Sequence, residues 1–171
     1  MVYARIPSAV GDLLAVADRG ALVELSFDAG RALARRQKTA SEPLREAPSE
    51  FSRVRKQLAA YFAGELRDFD LPLAPVGAPF EQRVWRVLQT IPYGTTTSYG
   101  TIARGLGAPN AARAVGAANG RNPIAIVIPC HRVIGSTGGL TGYGGGLARK
   151  RLLLDLESRH SGLFETIPKS P

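Results

Sequence analysis

The chain has 171 residues, 44% of them hydrophobic and 21% charged, a balance that builds one ordinary globular domain or two small ones and excludes a disordered chain. A single cysteine excludes a disulfide framework and fits a reducing compartment; residues 1–7 lack a basic-then-apolar leader and no apolar run approaches membrane-spanning length, so a cytoplasmic protein without a membrane partner is expected. The net charge of +8 is uneven: residues 76–171 carry 11 basic against 4 acidic side chains, with no acid between Glu81 and Asp155, a pattern suited to a polyanion and first of all to nucleic acid.

In chain order, residues 2–6, 13–17 and 21–27 read as strands, the last alternating through Leu22, Leu25 and Phe27, with Asp18-Arg19-Gly20 as a hairpin turn. A polar helix is predicted over 31–38, then a loop through Pro43 and Pro48. Ser49 is predicted to cap a helix whose apolar face is Phe51, Val54, Leu58, Tyr61 and Phe62, stopped by Gly64. The proline-rich, nearly uncharged stretch 69–79 reads as an interdomain linker with a short strand at its start.

From Phe80 the period becomes helical, with Val84, Trp85, Leu88 and Ile91 in one stripe ended by Pro92 and Gly94. Thr95-Thr96-Thr97-Ser98 caps a short helix over 99–106, Gly107 ends it, and a helix of small residues follows over 110–119. Two short helices around a glycine-containing turn form a helix-turn-helix pattern, weak alone and stronger in an acid-free region. Arg113 is the one long side chain of the second helix. Residues 123–128 form an apolar, extended approach to Cys130, and 138–146 are glycine-rich around Tyr143. A last helix is predicted over 147–159 with Leu152, Leu153 and Leu156 inward, and residues 166–171 as a disordered tail.

The lone thiol lies in Pro129-Cys130-His131-Arg132-Val133, where a base and a cation adjoin it. Thiolate is the nucleophilic form, and such neighbours raise its share, so Cys130 is the candidate nucleophile rather than a small buried hydrophobe. Adjacent side chains of an extended segment point to opposite faces, so a water relay between Cys130 and His131 is plausible. One cysteine and two histidines do not make a structural zinc set, and no cofactor motif is present.

Taken with Ala112-Arg113-Ala114-Val115-Gly116, Asn122-Pro123, Ile91-Pro92-Tyr93-Gly94, Ser98-Tyr99, Gly142-Tyr143-Gly144-Gly145-Gly146 and Leu154-Asp155-Leu156-Glu157, the Pro-Cys-His-Arg-Val run closely resembles the O6-alkylguanine-DNA alkyltransferases (methylated-DNA–protein-cysteine methyltransferases). The resemblance covers residues 80–157 in order; the first third matches only in character. It implies an α+β fold, with a small N-terminal antiparallel sheet and helices (ribonuclease-H-like, residues 1–77) before a mostly helical helix-turn-helix and alkyl-acceptor domain (78–171). By the same resemblance, Cys130 accepts an alkyl group from guanine O6, His131 deprotonates it through a water, and Glu157 orients the imidazole. Tyr99 hydrogen-bonds the flipped guanine, Asn122 orders the site, and Arg113 fills the space in the base stack. Ala112, Ala114, Gly116 and Arg121 accompany Arg113 on DNA. The Val133 and Cys130 carbonyls read the guanine amino group, and Tyr143, Gly144 and Ala125 wall the alkyl pocket.

The implied partner is double-stranded DNA carrying O6-alkylguanine, with O4-alkylthymine as a second lesion to consider, bound from the minor groove by a monomer; cooperativity on DNA stays open. Some members hold zinc in the N-terminal domain, but those ligands are missing here, so no metal and no cofactor are expected. Ala125 stands where some relatives carry proline, which leaves the alkyl range undecided. Two rival readings remain at this point: a DNA-binding protein with an inert cysteine, and a cysteine hydrolase.

Overall fold

The structure is a computed structural model and describes residues 1–162; the expected tail at 166–171 lies outside the described residues. Strands β1 (Val2–Ile6), β2 (Leu13–Asp18) and β3 (Ala21–Ser26) form an antiparallel meander. Between β2 and β3 the chain turns on Arg19 and Gly20, both at positive φ (46° and 81°), the two-residue hairpin geometry that matches strand twist. A two-residue strand, β4 (Arg45–Glu46), joins β1 in parallel, so the sheet is mixed, in the order β3-β2-β1-β4. Two residues are too few to show alternation, and the sequence reading has this stretch as loop.

Strand alternation divides the sheet's two faces. Leu14 and Val16 pack with Tyr3 beneath α1 (Ala29–Thr39), which buries Ala29, Ala32 and Leu33. Leu13, Ala15, Leu22 and Leu25 point the other way, into one core shared with α2 (Ser52–Phe62) and with the rest of the chain. Helix α2 is preceded by a 3-10 turn, Pro48–Phe51, so Ser49 lies inside that turn and caps nothing; the predicted cap is corrected on this point. Gly64 follows the helix at φ 77°.

The edge of β3 is covered rather than free. Leu22 donates its amide to Pro72 O (2.8 Å) and accepts from Ala74 N (2.9 Å), so the proline-rich stretch is strapped to the sheet with Leu73 opposite Leu22. Further along, Leu25 donates to Pro123 O (2.9 Å) and accepts from Ala125 N (2.9 Å).

In the second half, α3 (Pro79–Leu88) buries Val84, Trp85 and Leu88, and Trp85 Nε1 donates to Ala118 O at 2.9 Å. The helix ends at Leu88, before Pro92, and Ile91 reaches the core from the loop. Helix α4 (Tyr99–Gly105) begins at Ser98, whose Oγ accepts from Thr101 N at 3.1 Å; Gly107 at φ 73° turns the chain into α5 (Ala112–Gly120). Strands β5 (Thr97–Ser98) and β6 (Val133–Ile134) pair in parallel and tie the start of α4 to the segment after Cys130. The chain closes with α6 (Leu147–His160), which buries Lys150, Leu153 and Glu157. Leu152 is 39% exposed, because consecutive helical residues lie about 100° apart and Leu152 cannot share the face of Leu153.

Candidate active site

Residues 123–128 do not run extended to the thiol, as the sequence suggested; they form a compact turn. Ile126 adopts φ 72°, and Val127 N donates to Ala125 O at 2.8 Å, which makes Ile126 the centre of a γ-turn. A β-branched residue there is a true outlier, costing on the order of 1–3 kcal/mol. Asn122 holds the turn: Nδ2 donates to Ile128 O (2.8 Å) and Ile124 O (3.4 Å), and Oδ1 accepts from Ile124 N (3.0 Å). The two Leu25 backbone bonds clamp its other side. Cys130 then opens a 3-10 turn (Cys130–Arg132), and Asn119 Nδ2 donates to the Cys130 carbonyl at 3.3 Å.

Glu157 is the hub of the buried polar network. Its Oε1 accepts from Tyr61 OH at 2.7 Å and lies 2.7 Å from His131 Nε2 and 3.0 Å from Arg132 Nη2; its Oε2 accepts from Arg132 Nε at 2.9 Å and Gly94 N at 3.2 Å. Glu157 and His131 are fully buried and Arg132 nearly so. Burial alone would raise the Glu157 carboxyl, but the His131 and Arg132 contacts outweigh it and hold the group at about 2. Glu157 is therefore ionised and can only accept. That assigns the proton of the His131–Glu157 bond to Nε2 and leaves Nδ1 with a free lone pair; Nδ1 has no hydrogen-bond partner among the described residues.

Burial lowers the His131 pKa despite Glu157, so the ring is neutral at pH 7. Burial also raises the Cys130 thiol, against opposing pulls from the Asn122 and Tyr143 side chains and from Lys150. The resting thiol is protonated, and the residue that follows it carries a neutral imidazole fixed in one tautomer by a carboxylate. Such a set of groups can move one proton from sulfur and release a nucleophile.

Several contributors escaped the sequence reading. Tyr61 reaches Glu157 from α2, 96 residues away. Lys150, buried, donates Nζ to Val133 O (2.6 Å) and Thr141 O (3.3 Å). Arg149 bolts the two halves together: Nε donates to Val10 O, Nη1 to Gly145 O, and the guanidinium grips both Asp28 oxygens at 2.8 and 3.2 Å. The one local signal for either residue was its position in the basic Arg149-Lys150-Arg151 run. Of the residues singled out beforehand, Cys130, Asn122, Ala125, Tyr143, Gly144 and Arg121 line one cleft of about 570 Å³. Val133 does not line it; the residue is buried and its carbonyl already holds Lys150. Tyr99 lies outside the lining as well, beside α5, accepting from Thr141 Oγ1 at 3.1 Å, with room at Gly116 for a Cβ 3.7 Å from its ring. Arg113 and Ala114 are exposed on α5, Ala112 and Gly116 are half-buried, and Arg121 is paired with Glu81 at 2.8 Å.

Residues 79–159 match the family model described as the DNA-binding domain of 6-O-methylguanine DNA methyltransferase, and residues 1–75 match that of its ribonuclease-like domain. A methylated-DNA–protein-cysteine methyltransferase of Mycolicibacterium paratuberculosis is 66% identical over 116 residues, covering 68% of this chain and 70% of that protein. One from Methanosarcina acetivorans is 47% identical over 157 residues, 92% of this chain and 98% of the other. The crystal structure of Mycobacterium tuberculosis OGT in complex with DNA superposes with a TM-score of 0.85 at 50% identity, covering 94% of each chain.

Proposed function

The chain belongs to the O6-methylguanine DNA methyltransferase family, and on that premise we propose that it repairs DNA by direct reversal, moving an alkyl group from guanine O6 to Cys130 once and irreversibly. The observation that supports the reading is the buried His131–Glu157 pair next to the single thiol, which fixes the imidazole tautomer and leaves Nδ1 unpartnered among the described residues; in the proposed relay that lone pair takes the Cys130 proton through a water. The thiolate attacks the alkyl carbon in line, the S–C bond forms as the C–O6 bond breaks, and the electron pair leaves on guanine O6, which a proton neutralises. A thioether is a poor leaving group, so the sulfur is consumed. No metal or cofactor is needed, because the thiolate supplies the electron pair.

DNA is the partner, and the lesion must leave the duplex to reach a buried sulfur. We assign residues 1–77 to a ribonuclease-H-like domain and 78–171 to the DNA-binding and acceptor domain. In the second, α5 enters the minor groove, where readout is degenerate and suits lesions rather than sequences. Arg113 fills the gap in the stack, flanked by Ala112, Ala114 and Gly116, with Arg121 on the backbone and Tyr99 on the flipped base. The Cys130 carbonyl and the second lone pair of Val133 O meet the guanine amino group, and Ala125, Tyr143 and Gly144 face the alkyl group. The protein acts as a monomer in the cytoplasm; among the described residues no helix is long and apolar enough to cross a membrane.

Duplex DNA with labelled O6-methylguanine, in excess over protein, tests the reading. Repair should stop at about one equivalent, with the label on the peptide containing Cys130. Many turnovers would indicate a hydrolase, and binding without transfer a DNA-binding protein with an inert cysteine. O4-alkylthymine in the same duplex tests the second lesion.

A further inference from the structure

The cleft at Cys130 does not end at the residues expected to face the alkyl group. It passes Ala125 and Gly144–Gly145 and opens onto the N-terminal half, where β3 and α1 form the far wall. At Gly144 a Cβ would meet nothing nearer than Gly120 O at 4.0 Å, whereas Gly145 is packed against the Phe27 ring, 2.5 Å from where its Cβ would stand. At about 570 Å³ the cleft lies in the roughly 300–1,000 Å³ range of sites for drug-sized ligands, far more than one methyl group fills.

The far wall is rich in guanidinium. Arg31, Arg35, Arg36 and Arg121 line the cleft against two carboxylates, Glu24 and Asp28. Asp28 is held by Arg149 from outside the lining, and Glu24 is shared by Arg35 at 2.8 Å and Arg36 at 3.8 Å. Arg36 Nε is buried and finds no partner among the described residues, and the side chain of Arg31, exposed on α1 near enough to Asp28 to help hold that carboxyl low, makes no hydrogen bond or ion pair among them. Positive charge exceeds negative at the end of the cleft remote from the sulfur.

We propose that this cleft is a subsite for the transferred group itself, admitting O6-alkyl chains that run from Cys130 past Ala125 and Gly144 and end in a carboxylate received by Arg31. The inference rests on Cys130 being the alkyl acceptor. The chemistry of transfer is unchanged: the S–C bond forms at the first chain carbon, the C–O6 bond breaks, and the carboxylate stays on the protein with the chain. Arg31 presents the planar fork that matches a carboxylate.

The test uses the full chain and duplexes carrying one guanine substituted at O6 with methyl, a 5-carboxypentyl chain, or the uncharged carboxamide of the same length. Single-turnover rates should favour the carboxylate over the amide by about five-fold or more, a preference that shrinks as salt is added. Arg31→Ala should erase that preference and leave the O6-methyl rate unchanged, with the full chain mass found on the Cys130 peptide. Equal rates for acid and amide in the unaltered protein would overturn the proposal, as would failure of both long chains where methyl is transferred. Arg31→Ala slowing all three duplexes alike would make Arg31 a DNA phosphate contact and overturn it too. Failure of O6-methyl transfer itself would bring down the acceptor role of Cys130, and the subsite with it.

Discussion

Glu157→Gln keeps the shape of the hub and removes its charge, and the cost follows from the geometry around it. The carboxyl is held at about 2 against an ordinary value of 4.5; at about 1.4 kcal/mol per pH unit, that gap represents about 3 kcal/mol of native stability at neutral pH. A second route agrees: the substitution leaves Arg132 buried without its counter-charge, and breaking a buried pair in this way typically costs about 3–5 kcal/mol. For a chain of this size, that loss lowers Tm by roughly 6–20 °C. The sign of the pH dependence is fixed as well. The folded value is depressed, so the stabilisation is fully present above about pH 4.5 and is lost as pH falls towards 2, with more than half gone by about pH 3. Urea unfolding of both proteins from pH 7 down to pH 3 measures this, and the two should converge in acid. A difference below about 1 kcal/mol at pH 7, or one that stays constant to pH 3, would refute the assignment of Glu157 as an ionised hub.

Tyr61→Phe removes a donor from Glu157 without stranding any other group, costing about 1.5–3 kcal/mol of stability. Because Glu157 then leans more on His131, the acid limb of the single-turnover pH–rate profile should move upward; an unchanged profile would make Tyr61 merely structural. Cys130→Ser should abolish transfer, checked by adduct mass, while binding to lesion DNA measured by titration persists. Arg113→Ala should slow repair of duplex DNA much more than reaction with free O6-alkylguanine base, since the role proposed for the exposed Arg113 needs a stack to hold open; equal loss on both substrates would move it into the chemistry.

Most regular elements were legible because their signal is local. The three long strands, the stripe of Val84, Trp85 and Leu88, the Ser98 cap and the Gly107 turn each declare themselves within a few residues. The reading failed where the decisive partner is remote or the element is too short to show a period. Tyr61 looked like one more apolar residue of α2, and nothing near it in sequence pointed to Glu157. The β5–β6 pair spans two residues on each side. The run before Cys130 read as an apolar, extended approach to the thiol, yet Asn122 and the edge of β3 impose a turn that puts Ile126 at φ 72°. The cysteine and its polar neighbours were visible; the direction each atom faces was not.

The backbone bonds between Leu25 and the segment around Ile124 bear on how the molecule can be divided. Two family models meet near residue 77, and the chain invites cutting there. Yet the loop that carries Cys130 borrows two of its amide pairings from a strand of the first half, and the Glu157 carboxylate borrows a hydroxyl from Tyr61 in that same half. Grafting the second half onto a foreign partner would transplant Cys130, His131 and Glu157 while leaving behind part of the mould that shapes them. Modularity in this chain belongs to its pedigree; as a folding object it is a single casting.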